Sequence, residues 1–369
     1  MTTPGNSGSA TASTVIVLPA LSIRGGQWEA LRLARDIQAA GHAVTLLVMW
    51  KHRNELDVGE LPKSYLSDWE PKRATAPLQI PVLLWRMRRW LNENARRSSH
   101  RPTLVTTHFS TLPALWLVST HRRATFVQDL EWRFMSARVA AELLRRAILA
   151  AYRGTQLVMV ANSYLSRALA EEGIRDTRLV PIWADRFFAT QDDGSGRPFD
   201  IVVMLRHGEY KRPDLYFELL RRVRSEFGLR CIAITPDDDH AERARGMAEQ
   251  VLLRPSRSEI RSAYLRAKVF VHLSEHEGFG LPPLEAMGAG CIPVCRDSGG
   301  VTCYMHDARV RSNLLPLSAT LDEIIERIRA VLADADARAR MSDEARAAFA
   351  DGEGQTLMQR RHFFADYDD

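Results

Sequence analysis

Residues 274–300 read SEHEGFGLPPLEAMGAGCIPVCRDSGG, and this stretch decides the fold. The apolar run Val269–Leu273 (VFVHL) just before it has the pattern of a buried strand. A Gly-containing turn, two prolines, a short helical stretch Leu284–Met287 and a second apolar run, Cys291–Val294, follow. Strand, loop, helix, strand is the repeating unit of a parallel sheet. In such units ligands collect at the loop beyond the strand's carboxyl end. Backbone N–H groups at Gly278, Phe279, Gly280 and Leu281 could face an anion there, helped by the positive end of the helix. Glycine permits the close approach a side chain would block. Glu277 and Glu285 bracket the loop with seven residues between them, and both can point into one crevice. Carboxylates there are good acceptors for sugar and ribose hydroxyls. A helix cap and a solvated surface residue is the blander account of the pair. The Gly-Phe-Gly-Leu-Pro frame between them favours a ligand.

EGFGLPPLEAMGAGCIPV resembles the E-x7-E signature of the retaining GT-B glycosyltransferases of the group 1, or family-four, class. That resemblance implies an α/β fold of two Rossmann-like doubly wound domains facing across a cleft. It implies that Glu277 contacts the donor sugar and acts in catalysis, that Glu285 binds the ribose hydroxyls, and that the Gly278–Leu281 amides hold sugar and diphosphate.

The chain has 369 residues, enough for two domains, and its 46% hydrophobic content is ordinary for a globular protein. The net charge of +5, nearly all of it from arginine, suits anionic partners such as nucleotide phosphates, nucleic acid or an acidic membrane surface. Four scattered cysteines give no disulfide framework, so a reducing, cytoplasmic compartment is expected. No apolar run is long enough to span a bilayer. Residues 1–13 have the composition of a disordered tail rather than of a secretory signal.

In the first half, strand Thr14–Leu18, loop Pro19–Gly26, helix Gln27–Ala40 and strand Ala43–Met49 form a βαβ unit, with Gly41 as the C-cap. Gly25-Gly26 is either a tight turn or a backbone cradle for phosphate or acceptor. The family has a Gly-Gly loop and a Gly-His here, matched by Gly25, Gly26, Gly41 and His42. The dehydrogenase pattern G-x-G-x-x-G is absent. Pro81–Leu91 is basic and amphipathic. It could lie on an acidic bilayer, but an ordinary helix burying Leu84, Met87 and Leu91 is favoured. Strand Leu104–Thr107 ends at His108, to which the resemblance carries a role beside the donor sugar. Asp129 and Glu131 follow strand Ala124–Val127, where polar site residues collect, and Asp129 is a candidate acceptor-side residue. VQDLEW also resembles a subgroup of rhamnosyltransferase-like enzymes. Where the family usually has Pro-Asn-Gly-Val-Asp, the chain reads Pro181-Ile-Trp-Ala-Asp185.

The polar stretch 187–198 is the expected linker. This divides the chain into a first domain, 14–187, a link, 188–198, a nucleotide-sugar domain, 199–351, and a C-terminal helix, 352–369, that in the family crosses back onto the first domain. Arg206 and Lys211 follow strand Phe199–Leu205 and suit a diphosphate. The family has Gly after the Lys; here it is Arg212, so either basic residue could be the ligand. Pro236–Asp239 (PDDD) is judged no metal–nucleotide site, because its spacing is that of a helix cap and no His or Glu supports it; no metal is expected. Arg254, after strand Val251–Leu253, is a candidate contact for the nucleotide base. Helices are expected over Leu321–Leu332, Ser342–Ala350 and Gln355–Tyr367.

The resemblance implies a metal-independent retaining glycosyltransferase with no cofactor, using a UDP-, dTDP- or GDP-sugar. The acceptor would be a carbohydrate, a lipid-linked saccharide or a small natural product. The resemblance also implies attack on the same face, with a phosphate oxygen taking the acceptor's proton. Peripheral contact with the inner face of the membrane is compatible with Pro81–Leu91. A nucleotide-sugar epimerase of the same fold and a non-catalytic nucleotide-sugar or polysaccharide binder are the rival readings. Nucleic-acid binding would rest on charge alone, without a stacking motif.

Overall fold

The computed structural model describes residues 13–22, 25–53, 55–70, 76–189 and 196–365. The expected N-terminal tail up to residue 12, residues 190–195 of the expected linker, and the last residues of the expected C-terminal helix lie outside them.

Strands β1 (Ser13–Leu18), β2 (Ala43–Val48), β3 (Lys63–Tyr65), β4 (Thr103–Thr106), β5 (Arg122–Val127), β6 (Leu157–Val160) and β7 (Arg178–Leu179) form one sheet in the order β3-β2-β1-β4-β5-β6-β7. Strands β8 (Phe199–Met204), β9 (Cys231–Thr235), β10 (Gln250–Leu253), β11 (Ala267–His272), β12 (Ile292–Arg296) and β13 (Leu314–Leu315) form a second, in the order β10-β9-β8-β11-β12-β13. Every pairing in both is parallel. Parallel sheets are covered on both faces, which is why VIVL and VFV run apolar without alternation and are buried throughout. The strand order reverses between β1 and β4 and between β8 and β11, so each half opens a crevice at its carboxyl edge. These are the two doubly wound halves that the resemblance implies.

The covering helices of the first half are α1 (Gly25–Ala39), α2 (Ala76–Arg97), α3 (Pro113–Leu117), α4 (Arg138–Arg153) and α5 (Ser163–Glu171). Those of the second are α6 (Pro213–Phe227), α7 (Asp238–Ala244), α8 (Arg257–Arg266), α9 (Leu281–Gly288), α10 (Thr302–Met305), α11 (Leu321–Ala333) and α12 (Ala335–Ala365). No helix of the described residues is long and apolar enough to cross a membrane.

Three local expectations change. Gly25 and Gly26 are the first helical residues of α1, not a loop before it. In α2 the buried face is Leu83, Met87 and Leu91, spaced one turn apart, rather than Leu84. The two helices expected over 342–350 and 355–367 are one, α12. Gly352 does not break it; a Cβ there would stand 2.2 Å from the Trp183 ring, so the helix runs through a glycine that packing requires. Past this point α12 reaches the first sheet's helices. Arg360 Nε donates to Asp36 of α1 at 2.6 Å, and Arg360 Nη1 donates to the Pro181 carbonyl at 2.8 Å.

The halves meet along an apolar seam. Phe279, Leu284, Met287, Val301, Tyr304 and Phe349 of the second half share one buried cluster with the first sheet's core. Trp183 plugs this seam. Its ring meets Phe279 and Tyr304 edge-on at 6.2 and 6.4 Å, and its Nε1 donates to the Phe349 carbonyl at 3.1 Å.

Candidate functional site

β11 delivers its chain to the 274–300 loop, and hydrogen bonds lock that loop in place. Glu277 N donates to Ser298 O at 2.8 Å, and Gly300 N donates to Glu277 O at 2.9 Å. Tyr304 Oη donates to Gly280 O at 2.6 Å. Gly280 has φ of +80°, a conformation glycine adopts without strain, and this turn starts α9. Pro282 and Pro283 then occupy the first turn of α9, where a missing N–H costs nothing.

The two acids sit on either side of this turn and have opposite electrostatics. Glu277 Oε1 lies 2.7 Å from Lys211 Nζ and 3.5 Å from His272 Nε2. Burial pushes the Glu277 carboxyl up, but Lys211 and His272 outweigh it and hold the pKa down to about 2. Glu285 has no such close cation. Burial, only partly resisted by the charges of Arg257 and Arg206, raises it to about 7. Its nearest polar partner is the Tyr264 hydroxyl at 3.5 Å. Lys211 thus acts on Glu277 at one end of the turn, while Arg257 and Arg206 act on Glu285 at the other. Arg206 itself is exposed at the exit of β8.

Backbone geometry turns Lys211 and Arg212 in different directions. Arg212 has φ of +53°, the region where the family's glycine would be at ease, and its guanidinium turns outward to Asp214 and Glu275. Lys211 faces Glu277. Arg254 is not brought into the group: its guanidinium pairs with both Asp238 oxygens at 2.8 Å. Arg257 takes that place. It pairs with Asp185 at 2.9 Å, acts on Glu285 and lies 5.2 Å over the Trp28 ring. Position near the β10 exit was its only sequence signal.

The first half reaches into this loop through the segment after β5. Asp129 Oδ1 lies 2.7 Å from His276 Nε2, and Asp129 Oδ2 accepts from Gly278 N at 3.2 Å. Asn162 Nδ2 donates to Gly278 O at 2.6 Å. A Cβ on Gly278 would stand 2.3 Å from the Gln128 carbonyl. The Gly278 amide, read from sequence as a ligand donor, thus already holds a protein carboxylate. The amides of Phe279, Gly280 and Leu281 make no hydrogen bond among the described residues. Phe279's side chain is buried in the seam. Gly25 and Gly26 stand opposite: a Cβ on Gly25 would be 3.3 Å from Leu281 Cδ1, and one on Gly26 3.3 Å from Gln128 Oε1.

His108 caps the short turn Phe109–Thr111, its Nδ1 accepting from Ser110 N at 3.2 Å. Its Nε2 lies 3.9 Å from Glu131 Oε1, which also accepts from Phe109 N at 3.0 Å. Burial raises Glu131 to about 8; the Phe109 bond lowers it, and the Asp129 charge raises it further. His108 thus connects through Glu131 and Asp129 to the Gly278 loop. His276 and His272 sit in or just before the loop in sequence without a motif of their own, whereas Tyr264 and Asn162 become its neighbours only through the fold.

A cavity of about 860 Å³ lies elsewhere, between α1 and α12, lined by Arg32, Asp36, Trp183, Asp185 and Arg360 among others. Arg360 is paired with Asp36, and Arg32 with Glu29 and the Trp183 carbonyl. Its chemistry is that of a joint between α1 and α12, so the charge group at 277–285 is the better candidate site.

Residues 192–348 match the model of a family described as glycosyl transferases group 1. The chain is 44% identical over 57 residues to the GDP-mannose:cellobiosyl-diphosphopolyprenol alpha-mannosyltransferase of Xanthomonas oryzae pv. oryzae, 15% of either chain. Matches to curated relatives span 15% to 34% of those proteins' own lengths. Among solved structures, a sucrose-phosphate synthase from Thermosynechococcus elongatus superposes with a TM-score of 0.74 at 15% identity, covering 95% of this chain and 98% of that one. Anabaena Alr3699/HepE in complex with UDP and glucose gives 0.72 at 13% identity, with the same coverage of 95% and 98%. At such identities these likenesses establish the fold, the two-domain GT-B arrangement.

Proposed function

Because the chain carries a group 1 glycosyl transferase domain over residues 192–348, we propose that it moves a sugar from a nucleoside-diphosphate donor to a hydroxyl of a carbohydrate or lipid-linked acceptor. One observation carries this reading: Lys211 sits 2.7 Å from Glu277 just before the 278–281 turn, while the charges of Arg257 and Arg206 act on Glu285 just after it. Cations and amides suit a diphosphate, and a carboxylate suits ribose hydroxyls.

In this reading Arg206, Lys211 and the amides of Phe279, Gly280 and Leu281 hold the diphosphate, and Glu285 accepts from the ribose. Glu277 is placed against the sugar and is kept ionised by Lys211. Gly25, Gly26, His108 and Asp129 border the acceptor side. The bond from the anomeric carbon to the diphosphate oxygen breaks as the acceptor oxygen bonds to the same face. The acceptor's proton passes to a diphosphate oxygen. The leaving charge is stabilised by prearranged cations and dipoles, without a metal at the reacting atoms. The names of similar proteins, with GDP-mannose in one and UDP in another, support the nucleoside-diphosphate class. We place the chain in the cytoplasm. Contact with the inner membrane face would run through α2, where Ile80, Val82 and Trp85 are exposed beside Arg88 and Arg89.

Thermal unfolding with UDP, GDP, dTDP and ADP tests the donor site, since a ligand of the folded state raises its apparent stability. One nucleotide should raise Tm, and Glu285→Ala should abolish that rise. Incubating the matching nucleotide-sugar with acceptors, and reading the anomeric configuration by NMR, tests transfer with retention. No shift from any nucleotide would overturn the proposal.

A further inference from the structure

A second group of chemistry-bearing side chains lies at the carboxyl ends of β8 and β9, outside the charge group described above. His207 follows Arg206 at the exit of β8; Asp237, Asp239 and His240 come from the start of α7, just after β9. His207 Nε2 is 3.2 Å from Asp239 Oδ1 and 3.6 Å from Asp237 Oδ1. His240 Nδ1 is 3.4 Å from Asp237 Oδ2. One ligand atom each from His207, Asp239 and His240 lies within 4.8 Å of the others, the one such grouping among the described residues. In a tetrahedral zinc site with bonds of about 2.0–2.2 Å, ligand atoms stand roughly 3.3–3.5 Å apart. The His207–Asp239 spacing is close to that value, the three ligand atoms together lie within 4.8 Å, and the two exposed side chains, His207 and Asp239, can turn inward to close the remainder.

His240 supplies an independent observation. The residue is 6% exposed, and its Nδ1 is buried without a hydrogen-bond partner while facing the Asp237 carboxylate. A buried polar nitrogen left unbonded is costly, and a bound cation would satisfy it. Its ring is held in place, 5.6 Å from Phe217 edge-on and 4.3 Å from His207. Helix capping does not use up the carboxylates. Asp237 stands at the N-cap of α7 yet caps no amide with its side chain, and it accepts instead from His207 N at 3.2 Å. Asp238 turns away to Arg254. The sequence argument against a metal here rests on helix-capping spacing and on the lack of a supporting His or Glu; Asp237 does stand at the N-cap, but its side chain caps no amide, and the fold carries His207 in from the neighbouring strand.

We propose that His207, Asp239 and His240 bind a divalent transition cation of the zinc class, with Asp237 as a further carboxylate. Two imidazoles and a carboxylate suit zinc, whereas magnesium prefers an all-oxygen octahedron. The cation ties the loop after β8 to α7 and takes no part in bond breaking. Because His207 adjoins Arg206, it also steadies the loop that offers Arg206 to the donor; that consequence rests on the proposed function, and cation binding does not.

Chelator-treated full-length protein is titrated with Zn²⁺ by calorimetry, and the metal retained after gel filtration is counted by elemental mass spectrometry. A single Zn²⁺ per chain and a raised Tm are expected, with no shift from equal Mg²⁺. His207→Ala and Asp239→Asn, both at exposed side chains, should each weaken Zn²⁺ binding at least about tenfold, as even loss of an outer partner of a metal ligand does. His240→Ala should abolish it in protein shown by circular dichroism to be folded. Absence of Zn²⁺ binding at micromolar concentration, or binding unchanged by His207→Ala and Asp239→Asn, overturns the site. The nucleotide-dependent Tm shift, measured alongside, reports on the donor site separately, so failure of one reading is distinguishable from failure of the other.

Discussion

Asp129 of the first half and His276 of the second are joined at 2.7 Å, and the same carboxylate accepts from the Gly278 amide at 3.2 Å. The acceptor-side candidate is thus also a clasp on the donor loop. Asp129→Ala would leave a buried imidazole and an amide without their acceptor. Hydrogen bonds to a charged group contribute about 1.5–3 kcal/mol, so a loss of that order is expected in chemical denaturation. Asp129→Asn, which can still accept, should lose less. Equal denaturation midpoints for wild type and Asp129→Ala would show that the clasp contributes nothing.

Gly278→Ala tests the same seam by steric means. Its Cβ would meet the Gln128 carbonyl at 2.3 Å and Asp129 Cγ at 2.6 Å, and the first of these is backbone that cannot swing aside. The halves must part or the loop must shift. Small-angle scattering should show a larger radius of gyration, and transfer should fall sharply. A variant with native dimensions and full turnover would contradict the closed packing.

Lys211→Ala removes the cation closest to Glu277. Glu277 has its folded pKa depressed to about 2 from an ordinary value of 4.5, so the stability it contributes is present above that ordinary value and is lost as pH falls toward 2. Without Lys211 the acid-side loss should begin at higher pH. The donor KM should also rise at least about tenfold, the value of one charge-assisted contact. Acid unfolding curves and initial rates read the two effects.

Glu285 titrates in the opposite sense. Its folded pKa is raised to about 7, so its contribution to stability is present below the ordinary carboxylate value and is lost as pH rises through about 7. As an acceptor of ribose hydroxyls it is better ionised. Nucleotide affinity should therefore improve as pH rises through this range, while the stability of the free protein declines. Glu285→Gln should flatten both profiles. Calorimetric titrations of nucleotide between pH 6 and 8 decide it.

Much of this protein was legible along the chain. The runs VIVL, VFVHL and CIPV, each ending in a glycine-bearing loop, announced parallel strands. The spacing of Glu277 and Glu285 on either side of a glycine turn announced a site, because both features depend on residues close in sequence. Backbone geometry and the third dimension decided the rest. Whether Lys211 or Arg212 faces Glu277 depends on a left-handed φ at Arg212. That Asp129 occupies the Gly278 amide, that Arg257 rather than Arg254 acts on Glu285, and that His207 meets Asp239 all depend on which strand ends lie side by side. Strand adjacency in a parallel sheet is set by crossovers many residues long, and no local pattern encodes which loops they bring together.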